Sequence, residues 1–202
     1  MFESVFTDEL RIPFIEALDA IAEWDVEHVD LRGNVFGNQI HQLSDAELQR
    51  VAEALDERGL EVGAIESSLA KVHLPGEERQ SAEEEKLEGI IRASEALDCS
   101  LVRSFFYWQP DEDEAGKLAD RPDRLEQVLE AFGGLAKRAS ESGLILAFEN
   151  CGVTVDEVLC VLDELGEPRW GLAWDVCNGW CRPGGPPEDA DAYIQRAAAR
   201  TR

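Results

Sequence analysis

Short apolar runs alternate with amphipathic segments along nearly the whole chain, and this alternation restricts it to α/β folds built on a parallel sheet. Residues 26–31, 60–65 and 101–106 are strand candidates, and 144–149 and 170–175, too short and too apolar for surface helices, are expected to be buried strands. Residues 2–6 are expected to form a short first strand. Between these runs, apolar residues recur at helical spacing: Leu48, Val51, Ala52 and Leu55, then Leu87, Ile90, Ile91 and Leu97. Leu125, Val128, Leu129, Phe132, Leu135 and Ala136 form a further stripe, and Val158, Leu159 and Leu162 another. Three capping-box patterns, beginning at Ser44, Ser81 and Thr154, announce helix starts, and Gly59 and Gly143 announce helix ends. Pro13 suits the first turn of a helix over residues 13–24. Residues 111–120 read as a polar loop, and a last helix is expected over about residues 189–199.

These segments make about six strand–helix units in a single domain spanning residues 1–202, with no linker and no low-complexity stretch. Consecutive units of this kind imply right-handed crossovers. Both an open doubly wound sheet and a barrel satisfy that rule. No G-x-G-x-x-G follows a strand and no G-x-x-x-x-G-K-[ST] occurs, so the common phosphate-binding fingerprints are absent. Glu66, Arg103, Glu149 and Asp175 all close or follow strands, and in a barrel such positions converge on one mouth. A TIM-type (β/α) barrel is therefore the expected architecture.

Two of these residues carry the functional expectation. Glu149 ends the run 144–149 and Asp175 ends the run 170–175, about one strand–helix repeat later. A carboxylate at the end of a buried strand is costly unless it is paired or binds a metal. Two neighbouring strands would aim both acids into the same mouth.

Composition narrows the partners. The chain carries 43 acids against 19 bases, a net charge of −24. Such a surface repels a phosphate backbone, so no nucleic-acid partner is expected. Lysine occurs only at Lys71, Lys86, Lys117 and Lys137, and the acidic excess reads as a halophilic, solvated surface. No run approaches the ~20 apolar residues of a membrane span. The N-terminus lacks a basic region, so no signal peptide is expected. Five cysteines without paired spacing, Cys99, Cys151, Cys160, Cys177 and Cys181, argue against a disulfide framework and for the cytoplasm. Cys177 and Cys181 have no nearby histidine to complete a zinc site.

At Phe148-Glu149-Asn150 and at residues 172–178 the chain resembles the sugar phosphate isomerase/epimerase family of xylose-isomerase-like barrels. The resemblance extends over essentially the whole chain in the order of its units. It implies that Glu149 and Asp175 are ligands of a divalent metal (Mn, Mg, Co or Zn) and that Glu149 also transfers a proton. It further implies an isomerase or epimerase acting on a sugar, sugar phosphate or related α-hydroxy carbonyl compound through an enediolate. The family site is completed by a histidine and a second glutamate from two further strands. No histidine follows His73, so the expected barrel is incomplete, lacking the last two units. Open strand edges would favour a homodimer. A non-catalytic, sugar- or metal-binding barrel-like protein is the alternative. An apurinic-site endonuclease shares the fold but needs several metal-binding histidines and a basic DNA path, and this chain has 3 histidines.

Glu66, His73, Arg103, Trp108 and Asn178 are candidate substrate-binding residues. Each has a plainer role available: Arg103 can pair with an acid, His73 can be a hydrogen-bonded loop residue, and Trp108 can be core along with Phe106, Tyr107 and Trp174. The Gly- and Pro-rich stretch after Asn178 and Trp180 (Gly179, Pro183, Gly184, Gly185, Pro186 and Pro187) can cover a barrel mouth or simply connect. The charge itself yields a test. Self-repulsion at −24 is screened by salt, so the thermal midpoint should rise as ionic strength is raised. Identical midpoints at low and high salt in a thermal scan would remove the halophilic reading.

Overall fold

The computed structural model describes residues 2–180 and 190–202. Six strands form one parallel sheet: β1 (Ser4–Phe6), β2 (His28–Leu31), β3 (Glu61–Leu69), β4 (Leu101–Ser104), β5 (Ile145–Glu149) and β6 (Gly171–Ala173). They pair in strict chain order, β1-β2-β3-β4-β5-β6, every neighbour parallel. Order decides between the two expected architectures. A doubly wound sheet reverses direction at a switch point, whereas an unbroken order under right-handed crossovers puts every helix on one face, as in a barrel wall. Among the described residues β1 and β6 do not meet, so the wall is open. Past β6 the chain returns to the sheet. Leu172 N–H donates to the Arg200 carbonyl at 2.7 Å, and Arg202 N–H donates to the Leu172 carbonyl at 3.1 Å. This is a parallel bridge between Leu172 and Thr201.

The helices are α1 (Phe14–Ala22), α2 (Asp45–Asp56), α3 (Glu77–Ala96), α4 (Pro122–Glu141), α5 (Val155–Leu165), α6 (Val176–Trp180) and α7 (Ala190–Ala198). The capping boxes at Ser44 and Thr154 form as expected, each side chain taking the N–H of the glutamate three residues on. The box expected at Ser81 does not form. α3 starts earlier, at Glu77 after Gly76, and runs through Ser81. Acids in its first turn favour that start, and Glu83 turns inward to the end of β3, where its Oε2 accepts the Ala70 N–H at 2.7 Å. The short helix α6 lies where only a loop was expected. The Gly- and Pro-rich stretch from Pro183 to Pro187 and Cys181 lie outside the described residues.

The sheet's two faces differ in kind. Val29, Leu31, Ile65, Val102, Leu146, Phe148 and Leu172 belong to the core packed under the helices. The period-two pleat sends their alternates to the opposite face: Asp30, Glu66, Arg103, Ala147, Glu149 and Ala173. That face, the lumen side of the wall, is therefore charged. No described helix is long and apolar enough to cross a membrane.

One close approach depends on a glycine. A Cβ at Gly89 in α3 would collide with the His41 carbonyl oxygen, in the 3-10 turn Ile40–Gln42. A Cβ at Gly133 in α4 would meet nothing within 4 Å. Gly89→Ala should therefore lower stability by about 1–3 kcal/mol, while Gly133→Ala should raise it by up to about 1 kcal/mol. Urea unfolding of the pair checks this, and equal effects would mean that α3 shifts freely against the turn.

Candidate active site

Glu149 is the last residue of β5 and only 8% exposed. Its Oε1 accepts a hydrogen bond from Asn178 Nδ2 at 3.0 Å. Its Oε2 lies 2.8 Å from Arg103 Nη1, an ion pair whose N–H groups do not point along the contact. That oxygen is buried and accepts no hydrogen bond among the described residues. Arg103, from β4, is held on its other side by β3. Its Nε lies 3.0 Å from Glu66 Oε2 and donates to the Ser67 carbonyl at 3.1 Å. Its Nη2 donates to the Glu66 carbonyl at 3.2 Å. Glu66 and Arg103 are paired in register, which explains their meeting.

Asp175 stands two residues beyond β6. Its Oδ1 accepts from the N–H groups of Cys177 at 2.8 Å and Asn178 at 3.3 Å, so it caps α6. Oδ2 accepts no hydrogen bond among the described residues. Asn150 fixes the backbone of Asp175 from both sides: Asn150 Nδ2 donates to the Asp175 carbonyl at 2.9 Å, and Asp175 N–H donates to Asn150 Oδ1 at 2.8 Å. Asn178 thus touches both carboxylates, and Asn150 ties the ends of β5 and β6 together. Sequence reasoning passed over Asn150 as a site residue. Its adjacency to Glu149 was the only signal, and a side-chain amide that spans two strands cannot be read from one of them.

The remaining candidates divide. Glu66 and Arg103 join the Glu149 group. His73 is exposed on the loop after β3, where its Nδ1 accepts the Gln109 N–H at 3.2 Å and its ring lies 5.0 Å from that of Trp108. Gln109 Nε2 donates to the Cys151 carbonyl at 3.2 Å, so the loops after β3, β4 and β5 are stitched together at the mouth. Trp108 is 1% exposed, and its indole N–H donates to Glu157 Oε1 at 2.8 Å. Glu157 also takes the Leu118 N–H and forms the α5 capping box. Trp108 is therefore anchored in the core and is not brought to the Glu149 group. Phe106 and Tyr107 are likewise core.

Charge in the lumen is unevenly matched. Burial pushes the Glu66 carboxyl up to about 7, against the pull of Arg103 and reinforced by Asp30 and Glu149. Burial also raises Asp30, although Ser4 Oγ donates to it at 2.7 Å and the Ala64 backbone helps hold its charge. One guanidinium thus serves several buried acids.

A xylose isomerase-like TIM barrel family model matches residues 18–201. The chain belongs to the xylose isomerase-like TIM barrel family. Solved structures share its fold closely. A probable 3-DHS dehydratase from Bacillus anthracis superposes with TM-score 0.72 at 16% identity, over 100% of this chain and 71% of that one. A D-psicose 3-epimerase determined in the presence of D-fructose gives 0.69 at 16% identity, over 98% and 70%. A barrel of the family from Mycobacterium smegmatis, in complex with magnesium, gives 0.67 at 15% identity, over 93% and 64%. No curated protein matches in sequence.

The donor chemistry of this barrel fits a divalent cation in part. Glu149 Oε2 and Asp175 Oδ2 are hard oxygen donors without hydrogen bonds, the kind such cations take. Among the described residues no group of three or more His, Cys, Asp or Glu side chains is placed to hold a metal. Arg103 stands beside one of these two carboxylates.

The Glu66 shift carries a pH signature. Its folded pKa lies above the unfolded value of 4.5, near 7. Across that window the folded chain keeps a proton that the unfolded chain has released, so this contribution to stability is lost as pH rises. Unfolding free energies measured from about pH 5 to about pH 8 should fall more steeply for the wild-type chain than for Glu66→Gln. Parallel profiles would mean that Glu66 titrates as an ordinary carboxylate.

Proposed function

We propose that this barrel is a divalent-metal-dependent isomerase or epimerase of a sugar, sugar phosphate or related α-hydroxy carbonyl compound. The observation that carries the reading is Glu149 Oε2, a buried carboxylate oxygen at the end of a barrel strand with no hydrogen bond. Its ion pair with Arg103 compensates charge but leaves its lone pairs without a hydrogen-bond donor, so they can receive a cation or a substrate proton. The D-psicose 3-epimerase and the magnesium-bound barrel among its structural neighbours support the same reaction class and the same kind of ion.

In this reading Glu149 and Asp175 hold the cation, which when bound supplies a Lewis acid that polarises a carbonyl and acidifies the adjacent C–H. The protein's own parts do the rest. Asn178 fixes the plane of the Glu149 carboxylate through Oε1, leaving Oε2 to take a proton from carbon and return it. Arg103, 2.8 Å from Oε2, holds the Glu149 carboxylate against the β4 side of the mouth. Asn150 locks the backbone that presents Asp175. A second reading, a barrel that binds a sugar or metal without turnover, is favoured by the absence of a third ligating side chain among the described residues.

Calorimetric titration with Mn²⁺ in high salt tests the assignment. The wild-type chain should bind Mn²⁺, and Glu149→Gln and Asp175→Asn should each weaken binding by about tenfold or more, as loss of a carboxylate ligand implies. Absence of binding by the wild-type chain would sink the metal site. Binding that both variants retain would place it elsewhere.

A further inference from the structure

We infer that Lys71 is the anion-recognition residue of this mouth and that the substrate is phosphorylated, its phosphate pairing with the Lys71 ammonium. The inference rests on the isomerase reading above and names its substrate class.

The position of Lys71 is built with care. It follows β3 through Ala70, which has a φ of 57°, a left-handed conformation that a residue with a Cβ adopts at a cost. Three bonds hold this turn in place. Ala70 N–H donates to Glu83 Oε2 at 2.7 Å, Ala70 O accepts the Tyr107 N–H at 3.0 Å, and Lys71 N–H donates to the Ser68 carbonyl at 3.2 Å. Glu83 itself is 6% exposed, and its other oxygen takes Lys86 Nζ at 2.6 Å. A buried acid and two strand ends thus fix where Lys71 leaves the sheet.

Its ammonium lies 4.7 Å from the centre of the Phe105 ring, and the Arg103 guanidinium lies 5.7 Å from the same centre. Phe105 is fully buried yet stands outside the main apolar core, with both cations in reach of its ring. The cations differ in their compensation. Arg103 has Glu66 and Glu149. Lys71 is exposed and has no carboxylate within ion-pair distance among the described residues, in a chain with 43 acids and 19 bases. Two neighbouring cations repel unless an anion joins them. On the same loop, exposed His73 uses Nδ1 as an acceptor, which leaves its Nε2–H as a second donor.

Charge favours phosphate over carboxylate. A phosphate group carries about −1.5 to −2 charge near neutral pH and three strong acceptor oxygens, against a single charge on a carboxylate, and a lysine meets it as a compact charge with three rotatable donors. Neutral hydroxyls do not require an uncompensated ammonium.

The test uses the 202-residue chain in high-chloride buffer at constant ionic strength, with inorganic phosphate as the probe and acetate as a second titrant. Wild type should bind phosphate saturably and more tightly than acetate. Lys71→Gln should weaken phosphate binding by about fivefold or more, the loss expected for a charge-assisted contact. Lys71→Arg, and Lys137→Gln on the distant face of α4, should stay within about twofold. No phosphate binding by the wild-type chain, equal affinity for acetate, or an unchanged Lys71→Gln would overturn the inference. Mn²⁺ is titrated separately. Mn²⁺ binding with no effect of Lys71 on phosphate would remove this inference and leave the isomerase reading. Phosphate binding lost with Lys71, in a chain that ignores Mn²⁺, would retain the anion site and remove the metal.

Discussion

Arg103 reaches across the lumen side of this wall, and the arrangement of the site depends on it. It touches Glu66 on β3 and Glu149 on β5 from its own place on β4. A buried charge pair is worth little in net stability, because desolvation offsets most of its attraction. Its value is positional. With the guanidinium fixed by two carbonyls on β3, the Glu149 carboxylate is drawn to one side of the mouth and its Oε2 is kept free of hydrogen bonds. Arg103 also lowers the raised pKa values of Glu66 and Asp30, so without it burial would push both carboxyls further up.

The same economy of contacts governs the next strand. β6 is only three residues long and ends before Asp175, so pairing in the sheet cannot fix that carboxylate. The Asn150 amide takes over the ladder's role, exchanging two bonds with the Asp175 backbone. α6 then begins on Asp175 Oδ1, and its third residue, Asn178, returns to Glu149. The two acids are coupled through amides, a pattern that holds both side chains in place through Asn178 and Asn150.

Much of this was legible in the chain before its fold was known. The six units show because strand and helix burial differ in period, and the boxes at Ser44 and Thr154 are purely local. Where a residue's partner lies far along the chain, the pattern misleads or falls silent. The Ser81 pattern announces a local cap, but the helix runs through it and Glu83 inside it serves Ala70 at the end of β3. α6 went unseen because Asn178 and Gly179 are poor helix formers, and only the cap at Asp175 and tertiary contacts make that turn. Trp108 follows three aromatics, and composition cannot say which of them face the helices. The pleat decides: Phe105 goes to the lumen, while Phe106 packs edge-on against Phe148.

This division of labour bears on the meaning of the acidic surface. Many arginines sit on the exterior in pairs with acids, such as Arg138 with Glu88 and Arg58 with Asp19. Exposed pairs of that kind contribute about 0–1 kcal/mol each and are screened by salt. In the lumen, by contrast, carboxylates outnumber the cation they share, and low dielectric makes each mismatch matter. The excess of acid on the outside is diffuse and tolerant, whereas that on the inside is specific. A bound cation at Glu149 and Asp175 would relieve the inner excess directly, and a phosphate at Lys71 would answer a cation that, among the described residues, no carboxylate pairs.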